Sequence, residues 1–483
     1  MRLDPASATI VAGTSPTRAP WLEVMPEPVR TSAPEPASSQ PPTLDLHVPE
    51  PPRRTPASAR AQWLSDAPAQ YPWSQGELAS PAVRQEFWRL VQAAASYSPK
   101  VRQAEAEHQA SLLDLRSVKG QRWPQVTVGA GSGGYALGGG KYEDEYAQKP
   151  SLEAQIVTPV YDFGRLKNTI ASYRHLADAS EFAYNAQLQA VASEVSATAI
   201  DLIKTRMLVE ISTQYVDRLQ SLVDMLQQIV QVDVGRGSEL TQAKARFLQA
   251  QANRDAIVAR VLELELQLRR QVGDVAPPDI ATENWEMGAI DAASLMSALA
   301  SHPTVLQAQA EVASAQSQAD AIRSSSLPSL NWVVSKTTQK DALGQSQPWE
   351  TRLSLDWSAF RGGAARAQRQ AALARAESGR QRAEQQRLDL EFQVRNAIHN
   401  AKVFSDRADA YRDLIDENDR VRRAFFQQWY HLGRRTLLDV LSAESDYYTA
   451  QINEVGSRMD GYRANFDAYA YAGMLAQWLQ NGN

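Results

Sequence analysis

Val101-Arg102-Gln103-Ala104-Glu105-Ala106-Glu107, just after Pro99, and Val305-Leu306-Gln307-Ala308-Gln309-Ala310-Glu311, just after Pro303, are two versions of one stretch. They lie 204 residues apart, and the same offset relates Pro124 to Pro328. Further along it falls to 198, relating Gly235-Arg236 to Gly433-Arg434 and Ala245 to Ala443. Each copy reads as a helical segment, a proline, two short alternating strands and a very long helical stretch. A unit of that size written twice is the mark of a repeated architecture. The expected fold is mainly α with a small β part, internally duplicated.

Proline punctuates the chain. Fifteen of the 25 prolines fall within residues 1–75, among Ser, Ala, Thr and Glu with little apolar periodicity. That stretch reads as a disordered or extended Pro-rich segment. Residues 160–276 and 349–483 contain no proline. Within the first, Leu188, Val191, Val195, Thr198 and Leu202 step by three and four, the spacing of a coiled-coil seam. Residues 164–232 therefore read as one helix about 100 Å long at 1.5 Å per residue, and 363–430 as its counterpart. Return helices follow at about 238–272 and 436–478, turned by Gly235 and Gly237 in one copy and Gly433 in the other.

Between the short and long helices of each copy sits a strand pair. Over 349–357, Trp349, Thr351, Leu353, Leu355 and Trp357 alternate with Glu350, Arg352, Ser354 and Asp356. In the first copy Leu152, Ala154 and Ile156 alternate with Glu153, Gln155 and Val157. Upstream partners are expected at about 124–131 and 328–336. Trp349 and Trp357 are separated by about 26 Å of strand at 3.3 Å per residue, close to the height of an outer-membrane apolar band edged by aromatic girdles. The organisation expected is a Pro-rich segment at 1–75, a first repeat at 76–272, a linker or equatorial segment at 273–300 holding Pro277-Pro278, a second repeat at 301–478 and a tail at 479–483.

Composition closes several routes. A net charge of −5 gives no reason to expect nucleic acid. With no cysteine, disulfides, thiolate metal sites and thiol catalysis are excluded. The six histidines include no i, i+4 pair and no HExxH, and there is no GxSxG. Gly138-Gly139-Gly140-Lys141 fails as a phosphate loop, because Tyr135 stands at the first glycine of GxxxxGK and Tyr142 follows the lysine. No enzyme, no metal and no cofactor are expected. No apolar run reaches the roughly 18–20 residues of a membrane-spanning helix. Met1-Arg2-Leu3-Asp4-Pro5 puts an acid and a proline where the core of a signal peptide would begin. That last feature favours a soluble coiled-coil scaffold; the duplicated alternating strands oppose it, since a rod needs no hairpins.

Four strands cannot close a barrel, for which about eight is the practical minimum. Strands facing lipid cannot leave open edges. Several chains must then contribute to one shared barrel, with the long helices continuing as a second cylinder: a conduit.

The order of these features, twice over, resembles the TolC family of outer-membrane channel-tunnels. The resemblance runs from about 76 to 478. It is carried by the helix–Pro–strand pattern; by Pro159-Val160-Tyr161-Asp162-Phe163-Gly164-Arg165 and its counterpart Ser358-Ala359-Phe360-Arg361-Gly362-Gly363; and by the turn Gly433-Arg434-Arg435-Thr436-Leu437-Leu438-Asp439-Val440-Leu441-Ser442-Ala443. It implies a homotrimer with four transmembrane β-strands per chain, forming a 12-stranded β-barrel continued by a 12-helix α-barrel of long antiparallel coiled-coil helices. It implies a place in the outer membrane of a Gram-negative bacterium, among outer-membrane lipid, with a long periplasmic extension. It also implies two partners, a periplasmic adaptor protein and an inner-membrane ABC or other pump.

By the same resemblance Tyr430, Arg435 and Asp439 fall at a pore gate, with Ser442 and Thr241 where further polar or acidic gate residues occur. The alternative for Asp439 is an N-terminal-turn acid stabilised by the helix dipole. Val234, Gly235, Arg236 and Gly237, with Leu432, Gly433 and Arg434, would form adaptor-facing tips. Trp349 and Trp357 would form the aromatic girdle. Tyr161-Asp162-Phe163-Gly164-Arg165 resembles members associated with type I protein secretion, with multidrug efflux as the alternative.

Overall fold

The computed structural model describes residues 77–78, 80–131, 150–278, 284–285, 290–339 and 345–481. The Pro-rich segment and the Gly138–Lys141 stretch lie outside them. In chain order the elements are β1 (Glu77–Leu78), α1 (Ser80–Tyr97), α2 (Pro99–Gly120), β2 (Gln125–Gly131), β3 (Ser151–Tyr161), α3 (Arg165–Val232), α4 (Gly237–Val272), β4 (Asn284–Trp285), α5 (Ala292–Ala298), α6 (Pro303–Ser324), β5 (Ser329–Thr337), β6 (Glu350–Asp356), α7 (Ala364–Tyr430), α8 (Leu437–Tyr471) and α9 (Leu475–Asn481). The order short helix, strand, strand, long helix, return helix thus occurs twice.

The four long strands form one antiparallel sheet in the order β2-β3-β5-β6. All four helical connections leave from one end of it. Register sorts the side chains by face. Val126 opposes Ile156, which opposes Val334, which opposes Thr351; Thr158 opposes Trp332, which opposes Leu353; Leu330 opposes Leu355. That face is apolar, and it is uncovered in the single chain: Leu353 and Leu355 are 67% and 68% exposed. The opposite face carries Gln125, Thr127, Glu153, Gln155, Ser335, Asn331, Glu350, Arg352, Ser354 and Asp356. β2 and β6 each pair on one side.

The junction from strand to long helix explains the Tyr161–Arg165 motif. Asp162 accepts from the Gly164 N–H at 3.1 Å and the Leu166 N–H at 2.7 Å, capping α3. Gly164 then takes φ +84, and Gly363 takes φ +81 at the start of α7, a turn that costs glycine nothing. Tyr161 and Phe163 pack edge to face at 4.7 Å.

Along α3 the predicted seam is buried: Val191, Val195, Thr198 and Leu202 face inward, with Leu188 beside them. They belong to a mid-height core built from α1 (Val83, Phe87, Leu90), α3, α4 (Leu264, Leu268) and α8 (Val455, Met459, Phe466). From the 273–300 stretch Val275 and Trp285 pack into this core, while Leu295 and Leu299 pack on Val394, Ala397 and Ala468 of α7 and α8. Trp285 in β4 pairs alongside β1 and is buried against Phe87 and Tyr462. The return helix expected over 436–478 stops at Tyr471. The Met474 N–H bonds to Tyr469 O and the Gly473 N–H to Ala470 O, with Gly473 at φ +73, a Schellman stop. The chain then reverses as α9, where Trp478 and Leu479 are buried against the same core, so Leu479 is part of the packed body.

Candidate functional site

Two helical hairpins end side by side. At the first tip, α3 runs into a 3-10 turn, Val234–Arg236, in which Asp233 accepts from the Gly235 N–H at 3.1 Å. At the second, α7 ends at Tyr430 and the chain turns through Leu432, Gly433 and Arg434, whose N–H reaches Gln428 O at 3.1 Å. Val234, Gly235, Leu432, Gly433 and Arg434 are exposed. Arg236 ion-pairs loosely with Asp233 at 3.9 Å, and its guanidinium lies 5.8 Å from the Trp429 ring, touching the other hairpin. Beneath the tips one apolar core joins all four helices: Leu219, Leu222 and Leu226 of α3, Ala243 of α4, Phe426 and Trp429 of α7, and Leu437, Val440 and Leu441 of α8.

The expected gate residues fall in one region but in different local roles. Asp439 is the third residue of α8 and closes a capping box with Thr436. Its carboxylate accepts from the Thr436 N–H and hydroxyl, each at 3.0 Å, and its own N–H donates to Thr436 Oγ1 at 3.3 Å. Those Thr436 bonds, with the nearby Arg435 charge, hold the Asp439 carboxyl below its ordinary value. Arg435 donates to Gln428 Oε1 at 3.2 Å and covers the Phe425 ring at 4.2 Å. Tyr430 stacks on Phe426 with ring centres 5.8 Å apart. Ser442 is exposed on α8, and Thr241 is exposed on α4 with its hydroxyl bonded to Gly237 O at 3.0 Å. Arg435 and Asp439 therefore stand together within the second turn, while Thr241 belongs to the first hairpin.

Sequence reasoning missed a buried charge cluster just above the tips. Glu444 of α8 is fully buried. Its Oε2 accepts from Arg218 Nε of α3 at 2.9 Å, and its Oε1 from Arg422 Nη1 of α7 at 3.3 Å. Arg422 also donates twice to Asp419, at 2.6 and 2.8 Å, and Arg423 pairs with the same carboxylate. The Arg218 and Arg422 guanidiniums both lie within cation–π range of the Tyr447 ring, at 5.3 and 4.6 Å. Burial, and then the Glu444 charge, push the nearby Tyr215 phenol up. The signal was present as Arg218, Asp419, Arg422 and Glu444 at core-facing spacings, but pairing them needs the relative rotation of helices 226 residues apart in sequence.

Trp349 and Trp357 stand at the two ends of β6 on its apolar side, both exposed; the Trp357 Nε1–H donates to Ser326 O at 3.2 Å. Among the described residues no group of three or more histidine or acidic side chains is placed to hold a metal ion. No described helix is long and apolar enough to cross a membrane.

The chain thus combines a four-stranded sheet that has one apolar and one polar face with long antiparallel hairpins. The family model described as outer membrane efflux protein matches residues 90–274 and 295–473, and the chain belongs to that family. No curated protein sequence matches it. Its fold is shared with solved channels of low sequence identity. The outer-membrane channel OprN is 19% identical, with a TM-score of 0.72 over 86% of this chain and 96% of that one. The CmeC outer-membrane channel of Campylobacter jejuni is 13% identical, with a TM-score of 0.72 over 85% and 91%. The outer-membrane protein VceC of Vibrio cholerae is 14% identical, with a TM-score of 0.70 over 80% and 96%. The chain is an outer-membrane channel component and not an enzyme, which removes the soluble-scaffold alternative.

Proposed function

We propose that three copies of this chain assemble into the exit duct of a tripartite export system. The observation that carries this reading is the sheet, whose outer strands β2 and β6 have no second neighbour among the described residues while its apolar face is uncovered. In lipid each open edge is costly, and a neighbouring copy supplies the missing strand. The helices support the same closure. Within the chain α6 packs between α3 and α7; its Ser314 hydroxyl meets that of Ser172 at 3.0 Å, and its Val312 abuts Gly379. Its counterpart α2 packs on α3 through Leu115 and Val118, leaving Leu112 and Leu113 exposed. α7 leaves Leu388 and Phe392 exposed. A copy of α7 from the next chain would complete α2 as α7 completes α6. The result is a 12-stranded barrel over a 12-helix periplasmic cylinder, with repeats at 76–272 and 301–478 contributing equally.

In this assembly Trp349 and Trp357 mark the two edges of the apolar band. Val234, Gly235, Arg236 and Gly237, with Leu432, Gly433 and Arg434, meet a periplasmic adaptor, itself engaged with an inner-membrane ABC or other pump. Asp439, Arg435, Tyr430, Ser442 and Thr241 border the narrow end. A ring of three Asp439 carboxylates raises its own pKa by repulsion and favours cations, against the capping bonds that lower it within each chain.

The cargo reading follows Tyr161-Asp162-Phe163-Gly164-Arg165, which favours type I protein secretion; the family description favours small-molecule efflux as the second reading. Deleting the gene separates them. Loss of a large polypeptide from the medium with unchanged drug tolerance supports secretion. Hypersensitivity to drugs with an unchanged secreted fraction overturns it. Purified protein in planar bilayers tests the duct itself: Asp439→Ala is expected to weaken cation selectivity and multivalent-cation block, and an unchanged selectivity would remove Asp439 from the conduction path.

A further inference from the structure

Where the two hairpins face each other, along α3 and α8, a series of polar rungs joins them. Arg463 donates to Asp201 at 3.0 and 3.1 Å, Lys204 to Asp460 at 2.8 Å, the Ser212 hydroxyl meets the Tyr448 hydroxyl at 3.1 Å, and Arg218 donates to Glu444 at 2.9 Å. The first two pairs are partly exposed. The last is the rung nearest the tips, and its carboxylate is buried.

We propose that Glu444 is a positioning residue that works as a divided clasp: one carboxylate oxygen ties the second hairpin to the first, and the other keeps the buried charge neutralised when that tie opens. The proposal rests on the duct reading for its consequence but on this geometry for its content.

The two partners of Glu444 are not equivalent. Arg422 belongs to the same hairpin as Glu444 and is anchored twice more on Asp419. Arg218 belongs to the other hairpin. Its side chain keeps 18% exposure, and its Nη2 is buried without a hydrogen-bond partner. If the tips part, Arg218 can carry its charge to water along its flexible stem. Glu444 remains paired with Arg422, so no naked carboxylate is left in a low-dielectric core, which would otherwise make separation prohibitive. The apolar tip core beneath is non-directional. It holds the hairpins together but does not fix the register of α8 on α3, whereas a charge-assisted bond at defined angles does. The clasp therefore sets the position of the second hairpin at the cost of a single bond.

The chain has no cysteine, so Val234→Cys with Leu432→Cys gives a clean spin-label pair across the two tips of the full-length protein, measured in spin-diluted assemblies. With the clasp intact the distance distribution is narrow. Arg218→Met is expected to add a longer, broader component, raising the ratio of parted to joined tips about tenfold, the size of effect of one charge-assisted hydrogen bond. Arg422→Met removes the other partner of the same carboxylate and is expected to leave the distance as in the unsubstituted protein, even though it lowers thermal stability. Glu444→Gln combined with Arg218→Met should add nothing to Arg218→Met alone. Equal broadening by Arg218→Met and Arg422→Met would show a merely structural cluster and overturn the proposal, as would no change with Arg218→Met. Bilayer conductance of the unsubstituted protein is recorded separately, so failure of the duct reading is seen independently of the clasp.

Discussion

The two hairpins are nearly equal in length, 68 and 36 residues against 67 and 35, yet they are buried in opposite ways. α3 buries apolar side chains along most of its length, including Ile200, Leu202, Met207, Ile211, Leu219, Leu222 and Leu226. Half of the residues that α7 buries are alanines, and its core-facing row near the tip includes Asp419. In its partner α8 the inward positions 444, 451, 454 and 458 are Glu, Gln, Glu and Arg. The first hairpin is the spine on which α2, α6 and α8 pack; the second is the outer arm. The two hairpins share one backbone plan, while their neighbours decide what each face carries.

The difference predicts unequal responses to substitution. The largest effect is expected in the spine. Leu222→Ala removes a fully buried side chain from the core shared by four helices, and should cost about 2–5 kcal/mol, read as a lower thermal midpoint. Phe392→Ser in the outer arm is expected to leave helix content unchanged, since Phe392 is 69% exposed within the chain. In the proposed trimer it should weaken each subunit contact by about 1.5–3 kcal/mol, the value of a buried Phe, read as dissociation on dilution in detergent. Equal losses of monomer stability from both would erase the distinction between spine and arm.

The turns give a smaller contrast. Thr436→Ala removes the N-cap of α8 and should cost about 1 kcal/mol, whereas Ser238→Ala at the exposed start of α4 should be neutral; denaturant midpoints compare them. The smallest effect concerns pH. His302 caps α6 through Nδ1, which meets the Thr304 hydroxyl at 2.6 Å and N–H at 3.3 Å. Burial holds its pKa below the ordinary 6.5, so the unfolded chain binds this proton more readily. Stability from the neutral cap is complete above about pH 6.5 and declines as pH falls below it. His302→Asn, which also caps helices, should keep α6 and remove that part of the acid dependence.

Much of this plan was legible in the sequence. Helices expected at 164–232 and 363–430 occur at Arg165–Val232 and Ala364–Tyr430, because proline-free seams of that length admit few other conformations. The strands occur within a few residues of expectation, since their alternation is strict. The stop at Gly473 and the burial of Trp285 were not legible, because both depend on α1 and the mid-height core rather than on local pattern. Asp439 was legible as an acid in the first turn of α8, while its bonds to Thr436 came from the structure. The Glu444 clasp was not, since a buried carboxylate declares itself only through partners brought in by distant helices.

The account depends most on one claim, that the open edges of β2 and β6 are completed by further copies of the same chain. The mass of the purified full-length protein in detergent, corrected for bound detergent, tests it directly. Three chains per particle is the predicted result. A stable, monodisperse single chain with its sheet intact would contradict it.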